Sequence, residues 1–254
     1  MEPLSVVIIT YNEARNIGRC LESVRPIATE IVVLDSFSTD ATRAICARFG
    51  VSFFEHAFDG HIEQKNRALE LASHEWVLCL DADEALSPTL QESISACLKA
   101  NACAGYKMNR LTHYCGKWIR HSGWYPDQKL RLFRRRVGRW GGENPHDKIV
   151  LPVGSSVGRL KGDLWHFSYY TRNEHRERAI LYARIAARAR YRSGKPSLPA
   201  STWMGPILRF LKHFVLKCGF LDGRAGWHIA WISAMETRMK YRQLHALRRA
   251  DRDS

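Results

Sequence analysis

Trp76-Val77-Leu78-Cys79-Leu80-Asp81-Ala82-Asp83-Glu84 runs five apolar residues straight into three carboxylates within four positions. An unbroken apolar run of that length, bounded by polar residues, predicts a strand buried on both faces, as in a parallel sheet. The acids that follow repel one another, and such a cluster is usually tolerated where a divalent cation or a cationic partner neutralises it. Hard oxygen ligands at a strand end suit Mg2+ or Mn2+. The plainer alternative is a strand followed by a solvated turn, with Ser87-Pro88 opening the next helix.

Three further strand and helix signals lie upstream. Ser5-Val6-Val7-Ile8-Ile9-Thr10 is β-branched and apolar, the composition of a central strand, and it ends at Tyr11-Asn12-Glu13. Ile17, Leu21 and Val24 then recur at helical spacing, with Asn12 as a cap and Pro26 as a stop. Glu30 to Asp35 reads as a second strand ending in an acid, and Ser36 to Asp40 as a polar turn. A helix with Ala41, Ala44, Ile45 and Phe49 on one side follows. Val51 to Glu55 is a short third strand and His61 to Ser73 a third helix. Strands alternating with helices imply right-handed crossovers and a parallel sheet, whose ligands bind beyond the carboxyl ends of the strands. Tyr11, Asn12, Glu13, Asp35, Asp40, Asp81 and Asp83 all fall at those ends, so acids from three strands converge on one crevice. The first strand–helix turn holds no Gly-rich loop, which disfavours a dinucleotide-binding oxidoreductase and a P-loop kinase. An aromatic face, acids able to accept from ribose hydroxyls or a base N–H, and a metal able to bridge a diphosphate suit a nucleotide that carries a leaving group.

The chain has 254 residues, 45% of them hydrophobic and 11% aromatic, enough for a full globular core. Its seven cysteines are scattered without metal-knuckle or redox spacing, and they read as reduced and cytosolic. Leu4 to Thr10 is too short for a signal peptide or a membrane span, so no export is expected. The net charge of +14 is unevenly placed: residues 159–254 carry 20 Lys and Arg against 7 Asp and Glu, and residues 1–158 carry 19 against 18. A basic appendage on a near-neutral domain points to an anionic surface, phospholipid or nucleic acid.

The motifs Ser5–Glu13, Ile31–Thr42, Gln64–Leu69 and Leu80–Glu84, in that order, resemble the family-2 glycosyltransferases with the nucleotide-sugar-binding GT-A fold. Trp124–Arg135, Pro145-His146-Asp147 and Gly219–Gly223 are most similar to the bacterial lipopolysaccharide-core β-1,4-glucosyltransferase group. The resemblance implies an α/β GT-A catalytic domain, which the division of charge places over residues 1–158, leaving a basic, amphipathic helical region over 159–254. It also implies that Thr10, Tyr11 and Glu13 contact the nucleobase and ribose, that Asp35 addresses the base edge, and that Asp81 lies near the ribose. By the same resemblance Asp83 coordinates the metal and Lys65 faces the diphosphate; Lys65 read alone could equally be a solvated helix residue. Such transferases are inverting and need a further carboxylate within hydrogen-bond reach of the acceptor hydroxyl. Asp127 stands where members often carry a Glu-Asp pair followed by Leu and Arg, although Pro126 replaces the first acid. Asp147 is the rival base, and His146 beside it could ligate the metal. Arg131, Arg134, Arg135 and Arg136 could hold a diphosphate or an anionic acceptor, or form a charged edge strand.

In the C-terminal third, Arg172 to Arg192 is helical in pattern, with Ile180, Ala183, Ala187 and Tyr191 on one side. Trp203, Met204, Ile207, Leu208, Leu211, Phe214 and Val215 make a broad apolar face opposite Arg209, Lys212 and Lys217, the composition of an interfacial helix. No segment reaches the roughly 20 apolar residues needed to span. The expected enzyme moves a hexose, glucose from UDP-glucose, to a lipid-linked saccharide such as the lipopolysaccharide inner core. It would sit peripherally on the cytoplasmic face of the inner membrane, through that anionic surface or, alternatively, use these helices for packing. A nucleotidyltransferase is disfavoured by the missing Gly-rich basic loop. An RNA-binding module is disfavoured because the arginines alternate with a wide apolar face and no RNA-binding motif occurs, so no nucleic-acid partner is expected.

Overall fold

The computed structural model describes residues 2–143, 146–194 and 200–251; of Glu143 and His146 only the backbone is described. Its contacts divide the chain into two compact units, Met1–Leu111 with Asp127–Phe167, and Thr112–Pro126 with Ser168–Ser254.

The first unit opens with β1 (Leu4–Thr10), α1 (Ile17–Val24), β2 (Glu30–Asp35), α2 (Thr42–Phe49), β3 (Ser52–Glu55), α3 (His61–Glu70) and β4 (Trp76–Asp81). The chain goes on through β5 (Glu84–Leu86), α4 (Pro88–Ala100) and β6 (Gly105–Tyr114), whose last residues, with β7 (Lys117–Ile119), belong to the second unit. β8 (Asp127–Arg134), β9 (Arg139–Glu143), β10 (His146–Val150) and β11 (Val157–Tyr169) return to the first, β11 up to Phe167. The strand order is β3-β2-β1-β4-β8-β6-β11-β5. β3, β2, β1 and β4 are parallel, with β2, β1 and β4 carrying the buried apolar runs of a sheet covered on both faces, whereas β8 joins β4 antiparallel and continues the sheet. The fold is mixed α/β with helices flanking the sheet, the GT-A arrangement expected from the motifs.

Period-two alternation sorts the strand side chains between two apolar layers. Val6 and Ile8 of β1 and Trp76, Leu78 and Leu80 of β4 pack with α1 and α4, while Val7, Val77 and Cys79 face Ala68 and Leu69 of α3. Both faces are therefore dry, and the polar residues of these strands are confined to the ends. Register aligns those ends: Thr10 lies opposite Asp35, and Ile9 opposite Asp81. α4 is capped by Ser87, whose hydroxyl accepts from the Leu90 N–H with Pro88 in the first turn, as the Ser-Pro pair predicts.

In the second unit, α5 (Arg172–Arg192) begins with a capping box between Thr171 and Glu174. It buries His175, Ala179, Ala183 and Ala187, one position from the expected Ile180 stripe at its start. These small residues let it lie closely against α7 (Arg224–Ala250). Between them, α6 (Ser201–Leu211) buries none of its residues and runs into a π-helical turn at Lys212–Leu216. Asp222, in the Gly219–Asp222 turn, is buried and accepts hydrogen bonds from the backbone N–H groups of Arg120 and His121 and from the Ser122 hydroxyl, at 3.2, 3.0 and 3.1 Å. The Gly219–Gly223 motif is thus an internal tie of this unit. Among the described residues no helix is long and apolar enough to cross a membrane.

Candidate active site

The site is assembled in the first unit at the carboxyl ends of β1, β2 and β4. Asn12, in the left-handed region at φ 53°, turns the chain after β1, and its side-chain oxygen accepts from the Thr39 N–H at 2.8 Å. In return the Asn12 N–H donates to Ser38 Oγ at 2.7 Å, and the Glu13 and Ala14 N–H groups donate to Thr42 Oγ1 and Asp40 Oδ2. Two strand-end loops are thereby laced together by short polar residues that favour turns. Asp35 is buried at the base of this lacing and accepts from the Ser38 N–H at 2.6 Å and from the Ser38 hydroxyl. Asp40 spends its carboxylate on the loop itself and on Thr42. Tyr11 and Phe37 stand exposed above it, and the Thr10 hydroxyl is buried without a hydrogen-bond partner among the described residues.

The three-acid cluster is neutralised in large part by the chain's own cations. Lys65 Nζ lies 3.0 Å from Asp81 Oδ1 and 2.7 Å from Asp147 Oδ2, and it also faces the Trp140 ring at 4.4 Å. Arg131 reaches Asp81 Oδ2 at 2.8 Å and Glu84 Oε1 at 3.0 Å. Arg110 spans from Glu84 Oε1, at 3.4 Å, to Asp127 Oδ2, at 2.7 Å, and Lys129 meets Asp127 Oδ1 at 3.1 Å. The result is one alternating row: Asp147, Lys65, Asp81, Arg131, Glu84, Arg110, Asp127, Lys129. Burial pushes the Asp81 carboxyl up, but Lys65 and Arg131 outweigh it and hold the group well below the usual carboxylate range. Asp127 is likewise raised by burial and lowered on balance by Arg110 and Lys129.

Glu84 is the most enclosed of these acids, with a fully buried side chain that also accepts the Asp81 N–H at 3.1 Å. Lys65 is turned toward its two carboxylates on a buried helix face, not into solvent. Arg131 is buried and spent on Asp81 and Glu84. Arg134 lies over the Trp76 ring, and Arg136 is an exposed partner of Glu75. Trp140 is buried and its backbone is fixed by Asn66, whose side chain donates to the Trp140 carbonyl and accepts the Trp140 backbone N–H at 3.0 and 2.9 Å.

Asp83 is set apart from this row. Its carboxylate lies 3.3 Å from His166 Nε2, and the Phe167 N–H closes on its carbonyl at 2.9 Å. His166 comes there through the antiparallel β11–β5 pairing, which places it opposite Glu84. The expected histidine, His146, begins β10, but its side chain lies outside the described residues. No group of three His, Cys, Asp or Glu suited to a metal ion occurs among the described residues. Asp83 and His166 are nonetheless an oxygen and a nitrogen donor side by side at a strand end, residues that would hold a divalent cation between them.

A mixed α/β sheet that brings acids from successive strand ends to one laced crevice, with no Gly-rich loop, is the arrangement expected of a GT-A transferase. Residues 5–150 match the family model described as glycosyl transferase family 2, and the chain belongs to that family. It is 31% identical, over 97% of its length and 94% of the relative's, to the lipopolysaccharide core biosynthesis glycosyltransferase LpsC of Rhizobium meliloti. An uncharacterised glycosyltransferase of Rickettsia conorii is 38% identical over 89% of this chain and 84% of its own. Among solved structures, S. aureus TarS 1-349 in complex with UDP-GlcNAc superposes with a TM-score of 0.49 at 15% identity, covering 98% of this chain and 92% of that one.

Proposed function

We propose that this glycosyltransferase moves a hexose, glucose from UDP-glucose, with inversion onto a lipid-linked saccharide of the lipopolysaccharide inner-core type. The observation that carries the reading is the division of the Asp81–Glu84 motif. Asp81 and Glu84 are tied into the charge row, while Asp83 is directed to His166. Asp83 and His166 would hold a Mg2+ or Mn2+ ion, which supplies neutralising charge to the departing diphosphate. Thr10, Tyr11, Glu13 and Asp35 would bind the base and ribose. Asp81, locked in its ionised form by Lys65 and Arg131, would accept from a ribose hydroxyl. Lys65 would act mainly by orienting Asp81.

For the base, Asp127 is favoured over Asp147. Both carboxylates are paired with cations at 2.7 Å, but the Asp147 side chain is 14% exposed whereas Asp127 is 32% exposed at the start of β8, where an acceptor can reach it. Asp127 would take the acceptor hydroxyl proton as that oxygen attacks the anomeric carbon and the diphosphate leaves with the bonding pair.

A peripheral seat on the cytoplasmic face of an anionic membrane is supported by α6. Trp203, Met204, Ile207 and Leu208 are exposed along it, with Arg209, Lys212 and Lys217 nearby in sequence. A panel of sugar nucleotides with Mn2+ or Mg2+ tests the donor by thermal stabilisation, because a ligand of the folded state raises apparent stability. UDP-glucose should give the largest shift, and no shift from any uridine nucleotide would sink the reading. Sedimentation with acidic liposomes at low salt tests the surface; protein left wholly in the supernatant removes that part alone.

A further inference from the structure

We propose that Arg110 is a positioning residue that sets the place of Asp127 relative to the donor-side acids, an inference that rests on reading Asp127 as the base. Arg110 lies on β6 directly opposite Asp127 in the β6–β8 register. Its Nε and Nη2 both donate to Asp127 Oδ2, at 2.9 and 2.7 Å, and Nη1 reaches Glu84 Oε1 at 3.4 Å. Glu84 cannot drift, because Arg131 holds Oε1 at 3.0 Å and the Asp81 N–H holds Oε2 at 3.1 Å. A planar guanidinium with fixed donors is a rigid spacer in a way an ammonium on a flexible stem is not. It therefore carries the position of the Asp81–Glu84 motif across to the carboxylate at the start of β8.

The same geometry separates the two oxygens of Asp127. Oδ2 is taken by two guanidinium N–H groups. Oδ1 faces Lys129 as its one ion partner among the described residues, at 3.1 Å, and the Lys129 side chain is the more exposed of the two cations, 37% against 20% for Arg110. The acceptor hydroxyl would displace this ammonium and give its proton to Oδ1, while its oxygen bonds to the anomeric carbon and the diphosphate leaves. An alternative duty for Arg110, neutralising buried Glu84 and nothing more, fits the distances poorly. Glu84 already has Arg131, and the Arg110 contact to it is longer than both contacts to Asp127.

The test is a cycle of full-length variants, Arg110→Gln, Arg110→Lys, Asp127→Asn and the Arg110→Gln/Asp127→Asn double. Turnover of UDP-glucose is measured with inner-core lipopolysaccharide micelles as acceptor, and UDP affinity is measured by titration calorimetry. Arg110→Gln should lower kcat by about 100-fold, the scale of a misplaced catalytic group, with UDP affinity within about threefold of the parent. Arg110→Lys should recover about tenfold of that loss. Asp127→Asn should cost about 1,000-fold, and the double variant should be no slower than Asp127→Asn, because Arg110 acts through that carboxylate. A double variant that multiplies the two single losses, or an Arg110→Gln enzyme within threefold of the parent kcat, overturns the proposal. If Arg110→Gln does not fold, Arg110→Lys decides: unchanged kcat refutes positioning, and a kcat loss at constant UDP affinity supports it. An Asp127→Asn enzyme with normal turnover would instead refute the base assignment itself.

Discussion

Replacing Glu84 with glutamine keeps the shape of the side chain and an acceptor for the Asp81 N–H but deletes the charge at the centre of the row. The Glu84 side chain is fully buried and meets two guanidiniums, Arg131 at 3.0 Å and Arg110 at 3.4 Å. Breaking a buried pair by removing one partner costs about 3–5 kcal/mol, because the remaining charge is left uncompensated. Here neither arginine is wholly abandoned, since Arg131 keeps Asp81 at 2.8 Å and Arg110 keeps Asp127 at 2.7 Å. The expected loss is therefore at the low end, about 3 kcal/mol. For a chain of this size that corresponds to a fall in melting temperature of roughly 6–12 °C. Urea unfolding of parent and Glu84→Gln at pH 7, followed by fluorescence and far-UV circular dichroism, gives the difference directly. A loss below about 1 kcal/mol, the worth of an exposed pair, would show that the row is not held together through Glu84.

Other consequences can be checked separately. His175 is enclosed by the rings of Tyr114, Trp124 and Tyr169, and burial, with Arg178 adding to it, pushes its pKa down to about 4. The unfolded chain then binds the proton first, so stability should fall as pH drops from about 6.5 to about 4, by at most about 3 kcal/mol; a pH series of urea midpoints should show this, flattened in His175→Gln. In Gly226→Ala the new Cβ would stand 1.8 Å from the Gly219 carbonyl oxygen, so α7 must move off the turn that carries Asp222. That substitution should cost about 2–4 kcal/mol by thermal melt, and an unchanged melt would show the turn is not seated there. His166→Ala should raise the Mn2+ concentration for half-maximal UDP-dependent stabilisation by at least about tenfold, whereas an unchanged requirement would separate His166 from the cation.

Reading the chain in order was sufficient for the parallel half of the sheet. Val6 to Ile9, Val32 to Leu34 and Val77 to Leu80 are apolar on both faces, and only a strand covered on two sides accommodates that. The polar residues left over, Thr10, Asp35 and Asp81, had to fall at the strand ends, and parallel register puts those ends together. The turns between them were legible for the same reason, since Asn12, Ser38 and Asp40 are residues whose short side chains satisfy loop backbone.

What neutralises the acids was legible only as a requirement. The sequence demanded a cation beside Asp81, Asp83 and Glu84, whether metal or side chain; Lys65, Arg131 and Arg110 answer for two of them. Arg131 reaches the motif because β8 runs antiparallel to β4, and Arg110 because β6 pairs with β8. His166 meets Asp83 because β11 pairs with β5. Local pattern determines that a strand exists, what it buries and which end is polar. Which strands become neighbours depends on packing free energy summed over the whole unit, and a charge is paired only once its neighbour is chosen. The acids and their strand-end position were thus written in the sequence, while their partners, and the separation of Asp83 from Asp81 and Glu84, were decided by the tertiary structure.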